Sequence, residues 1–223
     1  AIAGKQGGGA IRGFSSGDFA AYFLLTMIVG HLCTAWDVYE MGYFVRTGAM
    51  SPKLLRPILP VWESLSDNLA YKVTTTAILA PIWIVIAWLT APRVELGLMS
   101  VAAGVMATVL ASALNFLWGY IVALSAFWFT RSEAVAQLWF GASLFFGGRL
   151  APLTILPPLL QRFADLMPFK WITYFPAAAL MGKLPPRELA AGLGWQLAWL
   201  VAGIAVFRLI WRNAVKRYSA VGA

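Results

Sequence analysis

Long apolar runs separated by shorter polar stretches dominate the chain, and they predict membrane-spanning helices. A helix needs about 20 mainly apolar residues to cross the hydrocarbon core of a bilayer. Such runs occupy residues 19–36, 70–90, 96–129 and 189–211, and a shorter run occupies residues 135–147. The pattern therefore predicts an all-α integral membrane protein with five visible spans in one transmembrane domain, residues 1–223.

Residues 150–186 lie between the last two runs and are apolar but rich in proline. Proline interrupts a helix because it lacks a backbone donor and its ring clashes with the preceding turn. The segment therefore predicts two short helices, at about 158–166 and 172–181, that enter and leave one side of the membrane. Irregular backbone at membrane depth survives only where protein or water satisfies it, so this re-entrant pair is expected to pack against other helices or line a cavity.

A basic segment, YFVRTGAMSPKLLRPILP, separates the first two runs at residues 43–60. It is longer than the roughly two to eight residues that usually join neighbouring helices. It mixes apolar and basic side chains, namely Leu54, Leu55, Ile58 and Leu59 with Arg46, Lys53 and Arg56. Two interpretations fit this amphipathic character: a surface that docks another protein, or a plain interfacial helix on lipid headgroups.

Composition supports the membrane assignment. Apolar residues make up 61% of the chain and charged residues 12%, whereas a soluble domain carries about 25% charge. The net charge of +8 is spread over loops and a tail, which favours contact with anionic lipid headgroups and not with nucleic acid. The single cysteine, Cys33, lies in an apolar run and excludes an intrachain disulfide framework.

The basic residues also predict an orientation. Residues 212–223 form a basic tail without an acidic side chain, and the positive-inside rule places it in the cytoplasm. Counting back over five spans puts residues 43–60 on the same side and the proline-rich pair outside. Five spans leave the N-terminus outside, and the numbering opens without an initiator methionine, so we expect a sixth span in the full chain.

Several kinds of chemistry are disfavoured by the residues present. The carboxylates fall at span ends or in loops, whereas ion-coupled carriers usually hold ionisable groups at membrane depth. Ser143 has no second histidine to pair with, and nucleophilic catalysis needs a base within reach. No Gly-x4-Gly-Lys-Ser/Thr loop occurs to cradle ATP phosphates. We therefore predict no enzymatic activity and no cofactor or metal site on this chain.

Four polar or aromatic residues inside the runs are candidates for a translocation path: His31, Asn115, Trp118 and Tyr120. His31 and Asn115 fit either a polar group on the path or a hydrogen bond between helices. Trp118 and Tyr120 lie deep enough to line a path for an apolar or amphipathic substrate, or else pack between helices. The sequence leaves both interpretations open.

The order of these parts resembles the membrane subunit of ABC-2 type exporters, in particular the group with an Arg-x-Gly … Leu-Leu-Arg-Pro segment. The matching residues are Arg46, Gly48, Leu54, Leu55, Arg56 and Pro57. Residues 145–185 resemble the re-entrant segment of the same group, with matches that include Gly148, Pro152, Pro158, Pro168 and Pro176. The resemblance extends over nearly the whole chain.

The resemblance implies a permease subunit of an ATP-driven exporter in the bacterial inner membrane. A cytoplasmic ABC ATPase would bind ATP and Mg²⁺ and dock on residues 43–60, with Arg46, Lys53 and Arg56 making polar contacts and Leu54 and Leu55 filling its groove. A second permease, identical or different, would complete the path. Gly148, Arg149 and the prolines of the re-entrant pair would shape an outer gate. A non-transporting membrane scaffold and a membrane-embedded enzyme are the alternatives.

Overall fold

The computed structural model describes residues 15–95, 97–129 and 132–218, and every regular element in them is helical. The helices in chain order are α1 (Ser16–Cys33), α2 (Asp37–Arg46), α3 (Met50–Leu54), α4 (Pro60–Thr90), α5 (Leu98–Ala123), α6 (Ser132–Phe146), α7 (Pro158–Asp165), α8 (Pro168–Ile172), α9 (Tyr174–Leu180) and α10 (Pro186–Arg217). Two 3₁₀ turns, Leu124–Phe127 and Leu153–Ile155, follow α5 and precede α7. The all-α prediction is confirmed for the described residues.

Four helical stretches in the described part of the chain are long and apolar enough to cross a membrane: Ser16–Arg46, Pro60–Thr90, Leu98–Phe127 and Pro186–Arg217. The chain is therefore a multi-pass membrane protein. The predicted span at 135–147 corresponds to α6, which has 15 residues and a length of about 22 Å. That is less than the roughly 30 Å thickness of the hydrocarbon core, so the count of five spans stays a prediction.

The helices extend beyond the apolar runs that predicted them. The run at 70–90 lies in α4, which begins at Pro60, and the run at 189–211 lies in α10, which continues to Arg217. Hydropathy predicts only the apolar part of each helix, but the structure shows that the polar ends are helical as well. The first half of the basic tail, residues 212–217, is therefore helical, and residues 219–223 lie outside the described residues.

Helix α5 lies at the centre of the fold and packs against α1, α2, α6, α8, α9 and α10. Small side chains on α5 permit this close packing, since Ala107 and Ala111 are fully buried and Gly104 lies against Leu180 of α9. One apolar cluster around Tyr120 and Leu124 joins α5 to α2 and α10. A second cluster around Cys33 joins it to α1, α8 and α9.

The first membrane-spanning stretch is a broken helix. Helix α1 ends at Cys33 and α2 begins at Asp37, which leaves carbonyl groups at the end of α1 without partners in the helix. The side-chain amide of Asn115 donates to the Cys33 carbonyl at 2.7 Å, and that of Asn68 donates to the Thr34 carbonyl at 3.1 Å. Side chains from α5 and α4 thus satisfy the broken backbone within the apolar region.

Gly192 of α10 allows α9 to pack closely against it. A Cβ atom added at Gly192 would lie 2.1 Å from the Phe175 ring, and Phe175 is itself buried. We expect Gly192→Ala to lower the free energy of unfolding by about 1–3 kcal/mol, because overpacking forces neighbouring groups to shift. The measurement is the thermal midpoint of the purified protein.

Gly194→Ala is the matched control, two residues along the same helix. Nothing lies within 4 Å of a Cβ added there. We expect this variant to match or slightly exceed the parent midpoint, because alanine favours a helix over glycine. Equal losses in the two variants would contradict the packing of α9 against α10.

Candidate functional site

Residues 43–60, called the elbow below, connect α2 to α4 through α3 and two turns. The first turn contains Gly48, whose φ of +76° lies in the left-handed region that glycine adopts without strain. The second turn ends at Pro60, the first residue of α4, where proline is favoured because no backbone donor is needed. The elbow is thus a defined structure and not a loose linker.

Ionic and hydrogen bonds attach the elbow to two long helices. Glu63, in the first turn of α4, accepts from the Lys53 ammonium at 2.7 Å and from the Arg56 guanidinium at 2.9 Å. Tyr218, which follows α10, donates its hydroxyl to the Gly48 carbonyl at 3.3 Å and lies 2.7 Å from the Ser51 hydroxyl. A displacement of the elbow would therefore be passed to both α4 and α10.

The outer surface of the elbow is apolar. Leu55 is 87% exposed, and Ile58 and Trp62 are each more than half exposed. A cavity of about 310 Å³ lies beside them, lined by Arg56 and Pro57 of the elbow and by Trp211 of α10. Exposed apolar side chains beside a basic residue are typical of an interaction site.

The seven predicted docking residues divide into four exposed residues, one turn residue and two that face inward. Leu55, Arg56 and Pro57 are exposed, as is Arg46, which forms a 2.6 Å ion pair with Glu133 of α6. Gly48 forms the turn described above. Lys53 and Leu54 face inward.

The Lys53 side chain is only 18% exposed, and its ammonium lies 4.6 Å from the centre of the Phe44 ring as well as bonding Glu63. Leu54 packs against the core cluster around Tyr120. Both residues hold the elbow in shape, although Leu54 also lines the cavity beside it, and their predicted contacts with an ATPase stay a prediction. The sequence does not predict the inward position of Lys53, because its partner Glu63 belongs to the next helix.

A second feature is a cavity of about 300 Å³ between the α1–α2 break, α5 and α6, called the aromatic cavity below. Its aromatic lining consists of Trp36, Tyr39, Trp139 and Phe140, and its polar lining includes Asn115, Ser143 and Arg149. Residues 34–36 of the break line this space together with Val38 and Tyr39 of α2. The structure thus brings a predicted path residue, Asn115, next to a predicted gate residue, Arg149.

Arg149 is the cationic group that lines the aromatic cavity. Its guanidinium lies beside Gly30 of α1, and its Nε donates to the Thr173 hydroxyl at 3.4 Å. Among the described residues, no carboxylate forms an ion pair with it. A guanidinium next to aromatic rings can bind a planar or anionic group by stacking and by paired hydrogen bonds.

The other three predicted path residues do not line the aromatic cavity. His31 Nε2 lies 3.0 Å from the Thr75 hydroxyl and links α1 to α4. Trp118 donates to the Trp199 carbonyl at 3.2 Å, and Tyr120 is fully buried in the core. These three residues connect helices. Asn115 does so too, although it also faces the cavity.

The proline-rich segment contacts α1 at both of its ends and in its middle. The Tyr22 hydroxyl donates to the Gly148 carbonyl at its start, the Cys33 thiol lies 3.7 Å from the Ile172 carbonyl at its middle, and Lys183 pairs with Asp18 at its end. Tyr22 and Asp18 lie near the N-terminus of α1, whereas Cys33 is its last residue. The segment therefore reaches the far end of α1 and comes back.

Three short helices, α7, α8 and α9, occupy this segment, where the sequence predicts two. Pro158 and Pro168 are the first residues of α7 and α8, Pro176 lies in the first turn of α9, and Pro152 caps the preceding 3₁₀ turn. Thr173 has φ −123° and ψ −54°, which separates α8 from α9. Gly148, with φ +75°, makes the turn that starts the segment.

The comparisons with known proteins agree with this architecture. The family model described as "ABC-2 family transporter protein" matches residues 4–222, which is almost the entire sequence. No curated protein and no solved structure matches the chain. The resemblance stated from the order of the motifs is thereby confirmed: the chain belongs to the ABC-2 family of transporter proteins and is a multi-pass membrane component of an ABC transporter.

Proposed function

We propose that this chain is one half of the translocation unit of an ATP-driven exporter and that a separate ATPase subunit docks on the elbow. The observation that carries this proposal is the exposed apolar surface of the elbow at Leu55 and Ile58, on a segment bonded to α4 and α10. ATP and Mg²⁺ would be bound by the ATPase subunit. A second permease, identical or different, would complete the path.

The contacts of the elbow explain how movement would spread from the docking site. Closure of two ATPase subunits on ATP would displace the two elbows, and Glu63 and Tyr218 would carry that displacement to α4 and α10. The ion pair between Arg46 and Glu133 would carry it to α6. Binding of ATP on one subunit would thus bias two arrangements of the permease, inward-facing and outward-facing.

Helix α6 connects the elbow to the aromatic cavity. It begins at Ser132 beside the elbow and contributes Trp139, Phe140 and Ser143 to the cavity wall, and Arg149 follows three residues after its end. We assign the aromatic cavity to the translocation path on this ground. A shift of α6 would change the width of the cavity and the position of the residues that contact a substrate.

The orientation follows from the basic end of α10. Tyr218, directly after Lys216 and Arg217, is bonded to the elbow, so the basic tail and the elbow lie at the same end of the molecule. By the positive-inside rule we assign this end to the cytoplasm, and we propose that the membrane is the inner membrane of a bacterium. The proline-rich segment would then be a re-entrant structure on the outer side, with α6 as the fifth span, and would form the outer gate.

Co-purification tests this function. We expect the tagged permease, produced together with its cognate ABC ATPase subunit, to retain that ATPase in a stoichiometric amount. The reconstituted complex is expected to move substrate only with hydrolysable ATP. Isolation of the permease free of the ATPase, under conditions in which both are produced and stable, would contradict the proposal and favour a scaffold.

A further inference from the structure

We propose that a second cavity, between α1, α4 and α5, binds an anionic amphiphile from the cytoplasmic leaflet, with its headgroup on Lys72. This cavity, called the lysine cavity below, has a volume of about 330 Å³ and is lined mainly by apolar side chains. The inference rests on the proposed function for its orientation, and it names the class of substrate or lipid that the permease would take up.

Lys72 is the cationic group of this cavity, and it is unusually buried for a lysine. It is 8% exposed, and its ammonium donates to the Ser112 hydroxyl at 2.7 Å. Among the described residues, no carboxylate lies within ion-pair distance of it, and Asp37 acts on it only from farther away. A buried charge without a partner is costly, so an anion bound there would be strongly stabilised.

A second polar group lies in the same wall. Asn68 is 6% exposed and uses its amide nitrogen on the Thr34 carbonyl, while its Oδ1 is buried without a hydrogen-bond partner. Lys72, Ser112 and Asn68 together form a polar patch in an otherwise apolar cavity. The arrangement matches a ligand with a polar headgroup and an apolar chain.

The position of Lys72 along α4 indicates the depth of that headgroup. Glu63, Asp67 and Lys72 are followed by residues 73–90, which contain no charged side chain. These 18 residues measure about 27 Å as a helix, close to the thickness of the hydrocarbon core. Lys72 therefore lies at the boundary between headgroups and hydrocarbon, on the side of the elbow.

The apolar wall favours a lipid over a water-soluble anion. Val109 lines the cavity and is 61% exposed, and Leu69 lines it and is 52% exposed, so the cavity opens between two membrane-spanning helices. An acyl chain that lies along this opening would bury apolar surface at about 25 cal/mol per Å². A free anion would gain the contact with Lys72 alone.

Native mass spectrometry of the purified permease, without the ATPase, tests the site. The probes are phosphatidylglycerol and phosphatidylcholine with identical acyl chains. We expect the parent protein to retain phosphatidylglycerol preferentially and Lys72→Gln to weaken that retention about tenfold, the effect of one charge-assisted hydrogen bond. Lys72→Arg is expected to keep the preference. Lys216→Gln, which removes an exposed cation at the same end of the molecule, is expected to leave it unchanged.

Val109→Trp provides a second test that leaves Lys72 in place. The larger side chain is expected to block the opening and to reduce phosphatidylglycerol retention as Lys72→Gln does. Equal retention of the two lipids by the parent, or unchanged retention in both variants, would overturn the proposal. Displacement of the lipid by inorganic phosphate at equal concentration would overturn the requirement for an acyl chain. Since no ATPase is present in this experiment, the measured lipid retention does not depend on whether the ATPase docks on the elbow.

Discussion

The substitution Leu55→Asp is expected to abolish ATPase association and ATP-driven transport while the permease still folds. Leu55 is 87% exposed and makes no core contact, so a carboxylate there costs the isolated permease little. In the docked complex the same carboxylate would be buried in an apolar interface without a partner, at a cost of about 3–5 kcal/mol. That cost weakens binding by more than about a hundredfold. Co-purification and ATP-dependent uptake into inverted vesicles measure the two losses.

Leu98→Asp is the matched control for this experiment. Leu98 is also 87% exposed and is the first residue of α5, far along the chain from the elbow and at the opposite end of the spans in the proposed orientation. We expect this variant to retain the ATPase and to transport at the parent rate. If both variants lost the ATPase equally, the effect would be a general one of charge, and if Leu55→Asp kept it, the elbow would not be the docking site.

The substitution Arg149→Gln is expected to lower transport about tenfold or more without loss of ATPase association. Arg149 is the cation among the described residues that line the aromatic cavity, and the glutamine side chain cannot replace its charge or its capacity to stack on a planar group. Removal of a partly buried charge that has no carboxylate partner among the described residues is not expected to destabilise the fold. Transport by the reconstituted complex, at matched protein amounts, gives the rate.

Arg162→Gln serves as the control, because Arg162 is an exposed arginine of α7 in the same proline-rich segment. We expect it to transport at the parent rate. Parent-level transport by Arg149→Gln would contradict the assignment of the aromatic cavity to the translocation path. Equal losses in the two arginine variants would show that the segment responds to net charge and not to the cavity.

The hydropathy of the sequence predicted the long helices but not the break in the first one. The predicted run at 19–36 extends three residues past the end of α1 and stops before α2, which hydropathy did not identify as part of the same membrane-spanning stretch. The break persists because Asn68 and Asn115, on two other helices, bond the carbonyl groups that it exposes. Such tertiary capping depends on the packing of three helices and leaves no local signal in the sequence.

For the candidate sites too, the sequence predicted some features, whereas others depend on packing between helices. The length and amphipathic pattern of residues 43–60 identified the elbow, but the inward position of Lys53 depends on Glu63 and Phe44 of neighbouring helices. The aromatic cavity collects residues from three separate elements, and the lysine cavity depends on the approach of Lys72 to Ser112. Lys72 is the third residue of the predicted span at 70–90, and its burial depends on the packing of α4 against α1 and on its contact with Ser112 of α5.

The most direct measurement of the central claim is photocrosslinking from the elbow in intact cells. A benzoylphenylalanine at position 58, where Ile58 is more than half exposed, is expected to crosslink to the ATPase subunit. The same probe at position 98 is expected to give no ATPase product. A crosslink to the ATPase from position 98, or none from position 58 in cells that transport at the parent rate, would contradict the account.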